Sequence, residues 1–329
     1  MRRRNKLTAL LVVFVFLAPF GGFAQDDLLQ MLEDSEPKTQ EKVTAMFKTT
    51  RVIQAHSIET VKKKTIDVRI SHRFGNIYST RNDVDGPDSF FGFDNIADVR
   101  LAAEYGITDE LMIGLGRSQA NNLVDGFVKW RFYEQTTDNK RPFSLAFFGN
   151  IGVNASKKGA FYAGVKEDLV SEYGSSKLFF HRLSYTAQII WARKFSPSIS
   201  MELLPTYVHR NFIRDSKDDN YIFALGVAGR FKVSKRVAIL ADYFYVFSPY
   251  RMNNSSVPFH MPISIGVEVE TGGHVFHIDI SNARGIETNN FLVESPDGWQ
   301  YAEIKLGFNI SRVFNVGQRL KKAKEKVEG

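Results

Sequence analysis

From residue 62 to 314 the chain alternates apolar and polar residues in stretches of about 9 to 14, broken by clusters of Gly, Asn, Asp, Ser and Pro. Successive side chains of a strand point to opposite faces, so this alternation describes strands that separate two environments. Twelve stretches can be read, near 63–73, 95–105, 109–118, 123–133, 143–154, 181–194, 198–210, 221–232, 236–247, 262–271, 274–282 and 299–314. Their typical length matches the roughly 9 to 11 residues with which a tilted strand crosses a bilayer. An even number lets an antiparallel sheet close on itself. The expected fold is all-β, a closed antiparallel outer-membrane β-barrel of about twelve strands over residues 62–314, preceded by a short N-terminal helical arm.

The connections carry a second signal. Links after the second, sixth, eighth and tenth stretches are tight: Gly106 to Thr108, Phe195 to Pro197, Val233 to Lys235 and Gly272-Gly273. Residues 74–94, 155–180, 211–220, 248–261 and 283–298 are long polar segments that follow odd-numbered stretches. Alternating short and long links, with both termini on the short side, are how such barrels place periplasmic turns and extracellular loops. Two links break the pattern: Gln119 to Asn122 is short where a loop is expected, and Glu134 to Pro142 is long where a turn is expected.

One face of each strand reads as lipid-facing, for example Val68 and Ile70, Trp130 and Phe132, Ile189 and Trp191, Ile265 and Val267, Leu306 and Phe308. The opposite phase reads as charged or small, and gives the lumen candidates Asp67, Arg69, Asp98, Arg100, Glu104, Lys129, Arg131, Glu202, Arg230, Asp242, Glu268, His277, Asp279, Glu303 and Lys305. A soluble sandwich also alternates, but it need not keep bilayer length or place aromatic residues near strand ends, as Tyr105, Trp130, Trp191, Tyr207, Tyr243, Tyr245 and Phe314 are here. In the Gly272-Gly273 hairpin, a two-residue primed turn pairs Thr271 with His274 and thereby Glu268 with His277 inside the barrel.

The apolar run Leu7 to Phe20 follows Arg2, Arg3, Arg4 and Lys6 and precedes Gly22-Phe23-Ala24, which reads as a cleaved signal peptide over residues 1–24. Its removal takes the net charge from +7 to +3, because it carries four positive and no negative residues. An exported chain of that charge implies no nucleic-acid partner. Residues 25–61 form either a periplasmic arm or a plug: Asp26 to Asp34 and Gln40 to Lys48 show helical spacing, and Arg51 to Val61 looks extended. Residues 315–329 read as a basic periplasmic tail. Cysteine is absent, which removes thiol enzymes, zinc-thiolate sites and disulfide scaffolds.

Several ordered segments resemble a known family. They include Phe47-Lys48-Thr49-Thr50-Arg51-Val52-Ile53, Asp67-Val68-Arg69-Ile70-Ser71-His72-Arg73-Phe74-Gly75, Ala192-Arg193-Lys194-Phe195-Ser196, Glu270-Thr271-Gly272-Gly273-His274-Val275-Phe276 and Gly307-Phe308-Asn309-Ile310-Ser311-Arg312-Val313-Phe314. Over about residues 47 to 314 the chain resembles the membrane-bound β-barrel family called domain of unknown function five-seven-seven-seven. That resemblance implies an outer-membrane barrel and supplies no catalytic or binding residues.

A barrel hydrolase needs a Ser beside a His, yet His209 falls in the lipid-facing phase and Ser184 in the opposite one, so no enzyme is expected. The seven His are scattered and no glycine-rich phosphate loop is present, so neither a metal nor another cofactor is expected. Interleaved charges of both signs differ from the single-sign ring of an ion-selective pore and can pair across a narrow lumen. The partners expected are outer-membrane lipid and a small polar solute. Two functions stay open: a channel or transporter for that solute, and a structural or interaction barrel with a charge-filled lumen and partner-binding loops.

Overall fold

The computed structural model describes residues 41–81, 86–163, 165, 178–254 and 258–317. The signal-peptide reading, the helical reading of Asp26 to Asp34 and most of the basic tail lie outside the described residues. Twelve strands form the wall: β1 (Thr65–Asn76), β2 (Ile96–Gly106), β3 (Leu111–Ser118), β4 (Leu123–Tyr133), β5 (Ser144–Asn154), β6 (Leu183–Ser196), β7 (Ile199–Arg210), β8 (Tyr221–Lys232), β9 (Val237–Phe247), β10 (Ile263–Thr271), β11 (His274–Ser281) and β12 (Lys305–Asn315). Each is antiparallel to its sequence neighbour, and β1 pairs with β12 to close the barrel. The start of β1, the end of β12 and the links after even-numbered strands share one rim, the terminal rim; the links after odd-numbered strands share the other, the loop rim.

The hairpin arithmetic holds in full, with Thr271 opposite His274, Glu268 opposite His277 and Val267 opposite Ile278. Gly272 and Gly273 take φ of 25° and 151°, values that a side chain would strain. Outward positions are apolar and exposed, among them Val68, Ile70, Leu115, Trp130, Phe223, Ile265, Val267 and Ile278. One strand starts later than its pattern suggests: β12 begins at Lys305, because Trp299–Tyr301 make a short 3-10 turn followed by Ala302 at φ 56°. Glu303 and Ile304 therefore precede the strand rather than belong to it.

Both irregular links have structural causes. Ala120–Asn122 is a single 3-10 turn, held because the Ala120 amide donates to Asp98 Oδ1 at 2.8 Å. The longer link from residue 134 to 143 grips the incoming chain. Val43 donates its amide to the Gln135 carbonyl at 2.8 Å, and Thr137 to the Glu41 carbonyl at 2.9 Å. Residues 41–48 carry no helix, against their spacing. The Met46 and Phe47 amides instead reach the Glu59 carboxylate at 2.9 and 3.2 Å, and both side chains are buried.

The interior corrects a second expectation. Inward positions of β4 to β9 are not only charged or small; Phe127, Phe148, Ile190, Leu204, Val208, Ile222, Leu240, Phe244 and Val246 form an apolar half-wall. Packed in the same core are Met46, Phe47, Val52, Ile53, Ile58 and Val61 from before β1, and Phe291 and Leu292 from the link between β11 and β12. Burial of such side chains stabilises by ~1.5–3 kcal/mol each, so apolar residues here face an apolar filling instead of water.

Candidate functional site

Residues 46–61 enter from the terminal rim, turn inside the barrel and return. The turn is tight: Val52 donates its amide to the Ala55 carbonyl at 2.9 Å, and Ser57 to the Thr50 carbonyl at 3.0 Å. A peptide hairpin placed in a lumen brings unpaired amides and carbonyls with it, and each costs free energy unless it finds a partner. The wall charges supply those partners. Asp242 Oδ2 accepts the amides of Gln54 and Ala55 at 2.7 and 3.0 Å, and Glu202 Oε2 accepts that of Ile58 at 3.2 Å. Lys129 Nζ donates to the carbonyls of Thr50, Ser57 and Glu59 at 2.9, 2.9 and 3.1 Å. Glu104 accepts the Thr50 hydroxyl, and that hydroxyl takes a hydrogen bond from Arg69, which also pairs with Asp67 at 3.3 Å. Arg131 pairs with Glu59 at 3.3 Å.

From the loop rim, the link between β11 and β12 folds down to meet the hairpin. Glu287 is the junction: Arg51 of the hairpin reaches it at 2.6 Å and Arg100 of the wall at 3.0 Å, and Arg100 also donates to Asp125 at 2.8 Å. Burial alone would raise the Glu287 carboxyl, but Arg100 and Arg51 hold it well below the usual carboxylate range. Burial, reinforced by Arg51, pushes His56 well below the usual imidazole range, and its ring lies 3.8 Å from that of Phe148. Asp98 accepts the Ile286 amide at 3.0 Å; Arg73 pairs with Asp279 at 3.2 Å and also reaches the carbonyls of Ala283 and Gly285. Gln54, at the hairpin tip, donates to the Gly285 carbonyl at 3.2 Å.

The remaining candidates sit in smaller clusters. Glu268 takes Arg230 at 2.8 Å and lies 3.3 Å from His277. Lys305 pairs with Asp297 at 2.7 Å, and Glu303 with Arg81 at 2.7 Å. All fifteen sequence candidates are buried except Arg131 and Arg230, which are half-buried near the terminal rim. Some do pair across the wall as the mixed signs suggest, whereas Asp98, Glu202, Asp242 and Glu303 hold backbone amides of the two inserted segments. The sequence reading missed Arg51, Glu59, Arg73, Asp125, Glu287 and Asp297. Arg73 and Asp125 were within reach, since they share the phase of Arg69 and Lys129; the other four lie outside any periodic stretch.

Ser184 and His209 are separated by the wall. Ser184 Oγ accepts from Asn289 Nδ2 at 2.7 Å inside, and His209 lies outside beside Tyr207.

Asp297 gives the loop segment an acid limit. Burial raises its carboxyl, but Arg284 and Lys305 outweigh that and bring its pKa down to about 2. A carboxyl depressed by folding stabilises fully above its unfolded value near ~3.9 and loses that contribution as pH falls through the folded value. The protection of backbone amides over residues 282–304, read as the exchange rate relative to an unstructured peptide at the same pH, is therefore expected to be high at pH 5 and to fall toward pH 2. An equal fall in an Asp297→Asn variant would show that another group is responsible.

The chain belongs to the family described as Membrane bound beta barrel domain (DUF5777), whose model matches residues 47–314. None of the curated proteins matches it in sequence. Among solved structures it is similar to the KdgM porin, at 9% identity over 76% of this chain and 99% of that one, with a TM-score of 0.41. It is also similar to the COG4313 outer membrane channel from Pseudomonas putida F1, at 12% identity over 78% and 98% of the two chains and a TM-score of 0.40. The Acinetobacter baumannii outer membrane protein Omp33 matches at 8% identity over 79% and 100%, with a TM-score of 0.38.

Proposed function

We propose that this protein is an outer-membrane channel for a small polar solute, closed at rest by its own residues 46–61. The observation that carries the reading is the nature of the hairpin's grip. Asp242, Glu202, Glu104 and Lys129 bind its peptide groups and hydroxyl, groups that water can serve equally well once the hairpin leaves. The vacated wall would present a mixed-charge lining on one side, suited to a polar solute. In this reading the terminal rim is periplasmic, so the hairpin is withdrawn from inside the cell envelope, and the loop rim faces outward.

Planar-bilayer recording tests it. The full chain is expected to be almost silent, and a chain lacking residues 46–58 to conduct steadily. Heat-dependent gel mobility establishes that the shortened barrel is closed, and a closed but silent barrel would overturn the proposal. The apolar half-wall of β4 to β9 favours a second reading, a permanently filled interaction barrel that works through its loops. Silence of the shortened barrel is the result that reading expects.

A further inference from the structure

At the loop rim lies a cavity of about 270 Å³ between the links that follow β5, β7, β9 and β11. Four guanidinium groups line it, those of Arg182, Arg210, Arg214 and Arg251, against the carboxylates of Asp215, Asp218 and Glu294. One of those carboxylates is shared: Asp218 takes Arg251 at 2.7 and 3.0 Å and Arg210 at 2.9 Å. Asp215 accepts the Tyr250 hydroxyl at 2.8 Å. Arg182 and Arg214 each donate to a neutral carbonyl, of Asn154 and Ala163, both at 2.7 Å. Arg182 also lies over the Phe161 ring at 5.3 Å, and among the described residues neither guanidinium forms an ion pair. Arg210 Nε is buried with no hydrogen-bond partner.

The rest of the lining combines aromatic and branched apolar side chains with amides and the hydroxyls of Ser184 and Tyr250. The rings of Phe161 and Phe212 are 5.5 Å apart, and His181 stacks on Phe212 at 5.3 Å. Asn121, Asn289 and Asn290 line the cavity as well. Guanidinium forks match a carboxylate in plane and spacing. Ring faces suit the C–H surface of a sugar, and amides can exchange hydrogen bonds with hydroxyls.

We infer that this cavity binds a monosaccharide-sized acid, a polyhydroxylated ring bearing one carboxylate, with Arg182 and Arg214 taking the carboxylate. The inference rests on the proposed role in solute uptake and names the class of solute. Its floor belongs to the segment that carries Glu287, so the site lies directly above the plug.

Calorimetry on the detergent-solubilised full chain, with D-glucuronate, D-glucose and acetate as probes, tests it independently of conductance. Glucuronate is expected to bind, and glucose and acetate to bind at least about tenfold more weakly, since each lacks one half of the recognised chemistry. Arg182→Gln and Arg214→Gln are each expected to weaken glucuronate by about tenfold, the value of one charge-assisted contact. Arg117→Gln, also on the loop rim but outside the cavity, should leave it unchanged. Glucose or acetate binding as well as glucuronate, indifference to both cavity variants, or no glucuronate binding would each overturn the site. A barrel that conducts when shortened but ignores glucuronate would overturn the site alone, whereas one that binds glucuronate and never conducts would overturn the channel alone.

Discussion

Replacing Glu287 by Gln is expected to destabilise the barrel by about 3–5 kcal/mol, the range for breaking a buried ion pair from one side. Two guanidinium groups converge on this carboxylate, Arg51 at 2.6 Å and Arg100 at 3.0 Å, and none of the three side chains reaches water to any useful degree. The variant leaves Arg51 facing a neutral amide, while Arg100 retains Asp125. The midpoint of the heat-dependent gel-mobility shift reads the effect, and an unchanged midpoint would refute the junction. Should Glu287→Gln not assemble, the pair Arg51→Met with Glu287→Met provides the second reading. Removing both charges is expected to cost less than removing one, because no buried ion is stranded.

The second large effect is expected at Lys129. Its ammonium spends all three protons on hairpin carbonyls, so Lys129→Met orphans the acceptors of Ser57 and Glu59 and leaves that of Thr50 with the Ser57 amide alone. At ~1–3 kcal/mol for each acceptor left unmade, with the two not strictly additive, the hairpin loses about 2–5 kcal/mol of its hold. Hydrogen exchange should rise steeply over residues 46–61 while β5 to β8 stay protected. Unchanged protection of the hairpin would mean that the apolar contacts of Met46, Phe47, Ile53 and Ile58 hold it unaided. Lys129→Met is also expected to raise the open fraction in bilayer recordings.

The strand set was legible because period-two contrast survives wherever lipid lies on one side and charge on the other, as in β1 and β2. The register of β10 and β11 was legible for a different reason: Gly272-Gly273 fixes the turn, and every later pair follows by counting. The apolar half-wall was not, because Ile190 on β6, Leu204 on β7 and Phe244 on β9 sit beside outward apolar neighbours, and a strand apolar on both faces loses its alternation. Nor did Asp242 or Glu202 reveal their task. Phase told that they point inward, while their partners are amides of a segment remote in sequence with neither strand nor helix periodicity. Glu287 and Asp297 lie in a long polar link whose path is set by tertiary contacts, which leave no local mark.

The meeting of Arg51 with Glu287 joins residues 236 apart in the chain, and the barrel closes where β1 meets β12. Contacts of such separation carry the largest loop-closure entropy. The hairpin precedes every strand in the chain, yet its lock arrives with the segment before the last one. Throughout the intervening assembly, Glu202, Asp242 and Lys129 line an unsealed trough whose intended occupant is already tethered beside it. The wall is thus built around its own filling, and a chain that stops before β11 forfeits the seam and the lock in a single stroke.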